Sequence, residues 1–390
     1  MKKELHPARN IATFAHQQTA MGKIPISVHP CTAYQLEPLL ALFRETYAIH
    51  GGPDLHGRTV LLKPNILMDT IPSRAVTTHP VFLEAAIRFV QEAGAARVLV
   101  GDSPAMHGPD FRPVQCGLYE VCERTGAEWT YFARKTTECL VGNHKVTVTA
   151  VRREADVFIS LPKLKTHGLM MFTGALKNTF GLLPALNKAR QHAVHSNQTS
   201  FARFLWQLNQ VFPTDFVFMD GIIGMHGPGP SNGIPIRTGV VIASPSALAA
   251  DLAGARICGY ATREVPLNVY GLQHDPVLHS WDDLLYTGPD PDSLIRPEFR
   301  RIKEVGIRNI MVRFLIDRLP AVRRLDRRPI FGRERCIGCG QCVAICPAQA
   351  LRADPNDKKH ILIQDNLCIR CFCCHEVCRQ NAIEIKRKLF

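Results

Sequence analysis

Short apolar runs alternate with amphipathic stretches along most of this chain. Residues 58–63 (RTVLLK) are apolar at their centre and stop at Pro64-Asn65, the pattern of a strand buried on both faces. Residues 78–94 then carry helix punctuation. Thr78 is the expected N-cap, Pro80 sits in the first turn and Gly94 closes the end, while Val81, Phe82, Ala85, Ala86, Phe89 and Val90 form one stripe. Residues 97–100 are a second apolar run, followed at once by Gly101-Asp102-Ser103-Pro104. Strand, helix and strand at this spacing make a βαβ unit.

The alternation repeats. Helices are predicted over 38–50, 118–126, 201–212 and 245–259, and strands over 129–133, 146–150, 155–161, 215–219 and 239–243. The fold class implied is α/β, a doubly wound, mainly parallel sheet with helices on both faces. Ligands in such sheets bind beyond the carboxyl ends of the strands. Residues 1–35 show no clear pattern. Residues 272–297 are polar and proline-containing, and read as a surface excursion. Residues 300–319 read as a basic amphipathic helix, with a membrane-surface role as the alternative.

Length and composition narrow the organisation. A chain of 390 residues exceeds one ordinary core, so two domains are expected. The division predicted is an α/β domain over 1–319, a basic linker over 320–333 and a cysteine-rich domain over 334–390. No run of about 18 apolar residues predicts a transmembrane helix, and the N-terminus lacks a secretory pattern. Cys31, Cys116, Cys122, Cys139 and Cys258 have no metal spacing and read as buried thiols in a reducing cytoplasm. A net charge of +13 points to an anionic ligand or an acidic partner. No recognised binding motif accompanies it, so nucleic acid is excluded as partner.

The other nine of the 14 cysteines crowd into the tail. Cys336, Cys339, Cys342 and Cys346 are spaced C-x2-C-x2-C-x3-C, and Cys368, Cys371, Cys374 and Cys378 repeat that spacing. A two-residue gap lets a curled backbone aim three thiolates at one cube, and the fourth cysteine of each run reaches the other cluster. The spacing therefore predicts two [4Fe–4S] clusters, one on Cys336, Cys339, Cys342 and Cys378, the other on Cys368, Cys371, Cys374 and Cys346. Zinc also binds paired cysteines, but the doubled four-cysteine run suits cubanes. Cys373 is surplus and reads as a bystander thiol. Residues 330–390 resemble the bacterial-type two-cluster ferredoxin domain, except that Arg379 stands where proline usually follows the fourth cysteine.

In the large domain, polar residues gather where strands end. Lys63 and Asn65 close one strand, and Asp102 another. After 155–161, Lys163, Lys165 and His167 alternate, so an extended backbone points all three to one side. Lys177 and Asn178 open a helix whose free N–H groups suit an anion. Lys188 and His192 stand at i,i+4, and Asp220 ends a further strand ahead of the glycine-rich loop 224–233. Lys63, Asn65, Lys163, Lys165, Lys177, Asn178 and Lys188 are the candidate ligand-binding residues, for a carboxylate or phosphate. His167 and His192 are candidate proton donors, and Asp102 and Asp220 candidate orienting groups or ligands of a metal.

The ordered series LLKPN (61–65), THP (78–80), GDSP (101–104), LPKLKTH (161–167), GALKNTFG (174–181), the Lys188/His192 pair and DGIIGMHGPGP (220–230) resembles the iron–sulfur-associated family called domain of unknown function 362. Pro228 stands where that family usually has asparagine, and Ser246 where it tends to have aspartate. The resemblance implies an α/β domain joined to a ferredoxin-type tail. The function expected is an iron–sulfur oxidoreductase passing electrons to an anionic small molecule at the sheet edge, with a protein as electron donor or acceptor. The alternatives are an electron carrier docking a partner enzyme and a non-redox enzyme with structural clusters.

Overall fold

Successive residues of strand β2 (Thr59–Pro64) feed two different cores. Leu61 packs with Leu99 and Phe158, while Val60 and Leu62 pack with Val98, Val100, Val157 and Ile159. A strand buried on both faces needs a layer above and below. The computed structural model, which describes residues 22–302 and 327–387, supplies both. Helices α1 (Leu36–Ile49), α2 (Pro80–Glu92) and α3 (Leu118–Thr125) cover one face through Leu39, Phe43, Phe82 and Val121. The other face carries α4 (Ala175–Asn178), α5 (Asn187–Val194), α6 (Gln198–Val211), α7 (Ala247–Ile257) and α8 (Pro266–His274), with Phe201, Phe204, Leu208 and Leu248 in that core.

The strands between them are β1 (Ile24–Pro30), β3 (Arg97–Val100), β4 (Glu128–Trp129), β7 (Val157–Leu161), β8 (Lys163–His167), β9 (Met171–Thr173), β10 (Phe216–His226), β11 (Ile234–Ser244) and β12 (Leu284–Thr287). The sheet order is β12-β1-β11-β10-β7-β2-β3-β4, with β8 beside β10 and β9 beside β8. Pairings β2–β3, β2–β7, β3–β4, β7–β10, β8–β10 and β1–β12 are parallel, while β11 is antiparallel to both neighbours. The fold is thus α/β with a mainly parallel sheet.

Several local expectations are corrected. Residues 24–30, without obvious pattern, form β1 because β11 and β12 pair with its two edges. The stretch 272–297 is not only a surface excursion, since β12 closes that side of the sheet. Residues 146–149 of the strand expected over 146–150 belong to a separate hairpin, β5 (Thr136–Val141) with β6 (His144–Thr149), not to the main sheet. The N-cap of α2 is His79, whose ring accepts the Val81 N–H. Thr78 instead ties two strand ends together, accepting the Asn65 N–H and donating to the Leu161 carbonyl.

The C-terminal unit is small and α+β. Strand β13 (Arg327–Phe331) pairs antiparallel with β16 (Ile383–Arg387), and β14 (Leu351–Ala353) with β15 (Ile361–Ile363). Two short helices, α9 (Gln341–Ala344) and α10 (Cys373–Val377), lie within the cysteine runs. Five residues of the expected linker 320–333 therefore belong to this unit's own sheet. Most of the expected helix 300–319 lies outside the described residues.

Candidate functional site: a cleft between the two domains

The lysines at the carboxyl edge do not act as one group. Three of them are held in closed networks. The Lys163 ammonium lies 2.8 Å from Asp220 Oδ2 and donates to the Tyr34 hydroxyl at 2.8 Å. Tyr34 donates in turn to Asp220 Oδ1, and its ring stacks on His79 at 3.6 Å. The His79 N–H also donates to Asp220. Every oxygen of that carboxylate is engaged, and Lys163 and Asp220 are buried at 2% and 0% exposure.

A second network centres on Lys63. Its ammonium sits 2.9 Å from Asp102 Oδ1 and donates to the Pro64 carbonyl and Asn178 Oδ1. Asp102 also accepts the Ile66 and Ser103 N–H groups. Asn178 donates to the Lys63 carbonyl and the Ser160 hydroxyl. Gly181 passes so close that a Cβ there would collide with both Lys63 and Asp102. Lys165 joins through Asn65, donating to its Oδ1 at 2.6 Å and to the Val76 carbonyl at 2.8 Å.

These partners correct the earlier reading. Lys163, Lys165 and Asp220 lie outside the cleft, and Asp102 and Asp220 are saturated by internal donors rather than open to a metal. Burial lowers the pKa of Lys63 and Lys163, opposed by their carboxylate partners. Lys165 has no such partner in contact, and burial followed by repulsion from Lys177 and Lys163 lowers it to about 7. The N-terminus of α4 is closed as well. Its Ala175 and Leu176 N–H groups donate to the buried Asp251, so no anion can use them.

The remaining candidates, except the fully buried His167, line a cleft between the large domain and the C-terminal unit. It encloses about 840 Å3 of space between atoms, its open mouth included. Lys63, Asn65, Asp102, Lys177, Asn178, Lys188 and His192 line one side, and Gln341, Ile345, Cys373, Glu376 and Arg379 the other. Lys188 donates to the Ser103 and Leu183 carbonyls, and burial lowers it to about 7. Lys177 forms no hydrogen bond among the described residues; its ammonium lies 5.4 Å from the Phe180 ring centre. The His192 ring, 3% exposed, packs on Phe201 with its Nδ1 unpartnered.

Glu376 is the residue that sequence reasoning missed. It projects from α10 between Cys374 and Cys378, and its Oε1 lies 3.1 Å from His167 Nε2. The pair is at ion-pair distance but out of line for a hydrogen bond, and both atoms are unpartnered by that criterion. The Leu169 and Met170 N–H groups donate to His167 Nδ1, which leaves the ring's proton on Nε2, facing Glu376. Burial lowers His167 to about 4. Three further contacts hold the same interface. Phe372 joins the large domain's core, Ile385 and Phe372 approach Gly168, and Asn232 donates to the His375 carbonyl. The only sequence signal for Glu376 was a carboxylate inside a cluster-binding spacer. Arg379, which replaces the usual proline, stands at the cleft mouth.

The nine cysteines of the two runs are free thiols. No disulfide joins them. Burial, then the neighbouring thiols of Cys339, Cys378 and Cys336, push Cys342 up to about 11. Cys374 is raised by burial and then by Cys371, Cys368, Cys342 and Cys346. Cys378 is among the thiols that raise Cys342, and Cys346 among those that raise Cys374. Crowded thiols that raise one another's pKa are the donor set that an iron-rich core relieves.

Residues 60–256, about half the chain, match the family described as domain of unknown function (DUF362), and the chain belongs to that family. Residues 335–382 match the 4Fe-4S dicluster domain. Over 232 residues the chain is 32% identical to a thylakoid-associated protein of Synechocystis sp., covering 58% of this chain and 72% of that one. Over 56 residues it is 41% identical to a ferredoxin of Pyrobaculum islandicum, 14% of this chain and 50% of that one. The lactate racemase apoprotein of Thermoanaerobacterium thermosaccharolyticum overlaps at a TM-score of 0.42 and 11% identity, over 62% of this chain and 58% of the other. The fold rests on the sheet order above rather than on that overlap. The C-terminal unit is a ferredoxin-type domain carrying two [4Fe–4S] clusters, a device for electron transfer. Among the described residues no helix is long and apolar enough to cross a membrane.

Two outcomes follow from the closed networks. Lys163→Met strands the Asp220 charge and is expected to cost about 3–5 kcal/mol in denaturant unfolding, whereas Lys177→Met costs under about 1 kcal/mol. The second concerns pH. Lysine in the unfolded chain holds its proton to near 10.5, while folded Lys165 releases it near 7. Between those values the unfolded state binds more protons, so stability rises with pH. Lys165→Met should flatten that rise, read as denaturation midpoints at pH about 7 and about 9.5.

Proposed function

We propose that this protein is an iron–sulfur oxidoreductase that reduces an anionic small molecule held in the interdomain cleft. One observation carries the reading: the cleft has lysines and a histidine of the large domain on one wall and residues of the second cysteine run, Cys373 and Glu376, on the other. When bound, the clusters supply single electrons at potentials tuned by their surroundings. The cluster ligands proposed are Cys336, Cys339, Cys342 and Cys378 for one, and Cys368, Cys371, Cys374 and Cys346 for the other.

The chain's own groups do the rest. Lys177, whose ammonium makes no hydrogen bond among the described residues, holds the ligand's negative charge. Lys188 adds charge from the side, and Arg379 draws anions to the mouth. His192 orients the ligand through its unpartnered Nδ1. His167, neutral with its proton on Nε2, donates a hydrogen bond toward the ligand's charge. Ile345, Phe180 and Ala189 exclude water, which strengthens each of these interactions. A reducing compartment such as the cytoplasm fits the buried thiols of Cys116, Cys122 and Cys258.

The cluster assignment is tested by assay of anaerobically purified protein, which should contain about eight iron and eight sulfide per chain. Cys346→Ala should damage the cluster held by Cys368, Cys371 and Cys374, and Cys373→Ala should leave both in place; iron content and electron paramagnetic resonance read both results. The cleft is tested by stopped-flow reoxidation of dithionite-reduced protein. Lys177→Met should slow ligand-dependent reoxidation about tenfold, or 1.4 kcal/mol, with both clusters still reducible. Equal rates in Lys177→Met and the unaltered protein would favour an electron carrier that docks a partner enzyme.

A further inference from the structure

The polar groups at this edge fall into closed and open sets. Around Lys63 and Lys163 every carboxylate oxygen and ammonium has partners within 3.1 Å. Around Glu376 the opposite holds. Its Oε1, the Nε2 of His167 and the Nδ1 of His192 are all buried without an aligned partner, and Lys177 makes no hydrogen bond among the described residues. Buried polar atoms are normally satisfied, because each orphan costs about 1–3 kcal/mol. One carboxylate among one ammonium and two imidazoles, all imperfectly engaged, is the arrangement of a site built for something else.

A simple docking pair does not explain it. Docking is already provided by Phe372, Ile385 and the Asn232–His375 hydrogen bond. A buried pair evolved for stability would be saturated, as the two neighbouring networks are, since misaligned buried charges add little. What the set does match is anion recognition: Lys177 and His192 line the same cleft as Glu376, and His167, buried behind it, lies 3.1 Å from its Oε1.

We infer that the Glu376 carboxylate is a built-in stand-in for the ligand, and that the cleft takes a compact oxyanion, a carboxylate or phosphate group, by exchange with it. This rests on the cleft being the ligand site. The incoming anion takes over Lys177, His167 and His192, and Glu376 turns toward the cleft mouth and Arg379. No bond is made or broken. Because Glu376 shares a five-residue helix with Cys373 and Cys374, the exchange is transmitted to the cysteine run. Ligand arrival and cluster environment are thereby coupled through one side chain.

The test uses the full-length protein with both clusters, handled anaerobically, and inorganic phosphate and acetate as probes in titration calorimetry. Glu376→Gln keeps the shape and removes the competing charge, so at least one probe should bind about tenfold more tightly than to the unaltered protein. Adding Lys177→Met to that variant should abolish the gain. Equal or weaker binding to Glu376→Gln, or no binding of either probe to any form, overturns the inference. Should Glu376→Gln lose its clusters, hydrogen exchange on the unaltered protein decides. Saturating probe should speed exchange in Cys373–Val377, and unchanged protection overturns the exchange model. Tighter binding without any reoxidation of reduced protein supports the exchange while removing the oxidoreductase reading. Reoxidation by a ligand that binds both proteins equally does the reverse.

Discussion

A buried ammonium group needs an answer to its charge or more readily gives up its proton, and this edge of the sheet buries several. Desolvation of such an ion costs several kcal/mol even after the protein relaxes. Lys63 and Lys163 are answered by Asp102 and Asp220, and these pairs tie β2 to the end of β3 and β8 to β10. Thr78 and Asn178 stitch the same strand ends. The result is a rigid floor. Only on such a floor can Lys177, Lys188 and His192 hold position facing a second domain.

The second domain completes the site rather than merely adjoining it. Without α10 the large domain presents a half-open basic edge, and without that edge Glu376 and Cys373 face nothing charged. The interface joins the two by packing, through Phe372 and Ile385, and leaves its polar centre underfilled. On the proposed reading, that division keeps a cluster-bearing helix close to the ligand while letting the ligand's charge be felt there.

Arg379 shows how a departure from a familiar motif can be local chemistry. The proline usual at this point shapes a turn. The turn forms here without it, and the side chain becomes a cation at the mouth of the cleft. Ser246 has a similar account: it caps α7 by accepting the Ala249 N–H, while Asp251 on the next turn holds the amides of α4.

The two cluster-binding runs and the α/β alternation were legible in the residues alone. Thiolate spacing is a local property, set by how far a few backbone units reach, and apolar periodicity reports burial directly. The lysines were legible as a group converging on the carboxyl edge, but their division was not. Whether Lys163 meets a ligand or Asp220 depends on Tyr34 and His79, which come from segments more than 80 residues away and gave no pattern of their own. β1 was invisible because both its partners follow it by some 200 residues or more. Glu376 was a spacer residue until the docking of α10 placed its carboxylate beside His167. Periodicity and spacing are written along the chain, whereas the partner of a buried charge is decided by which distant segments share its desolvated volume.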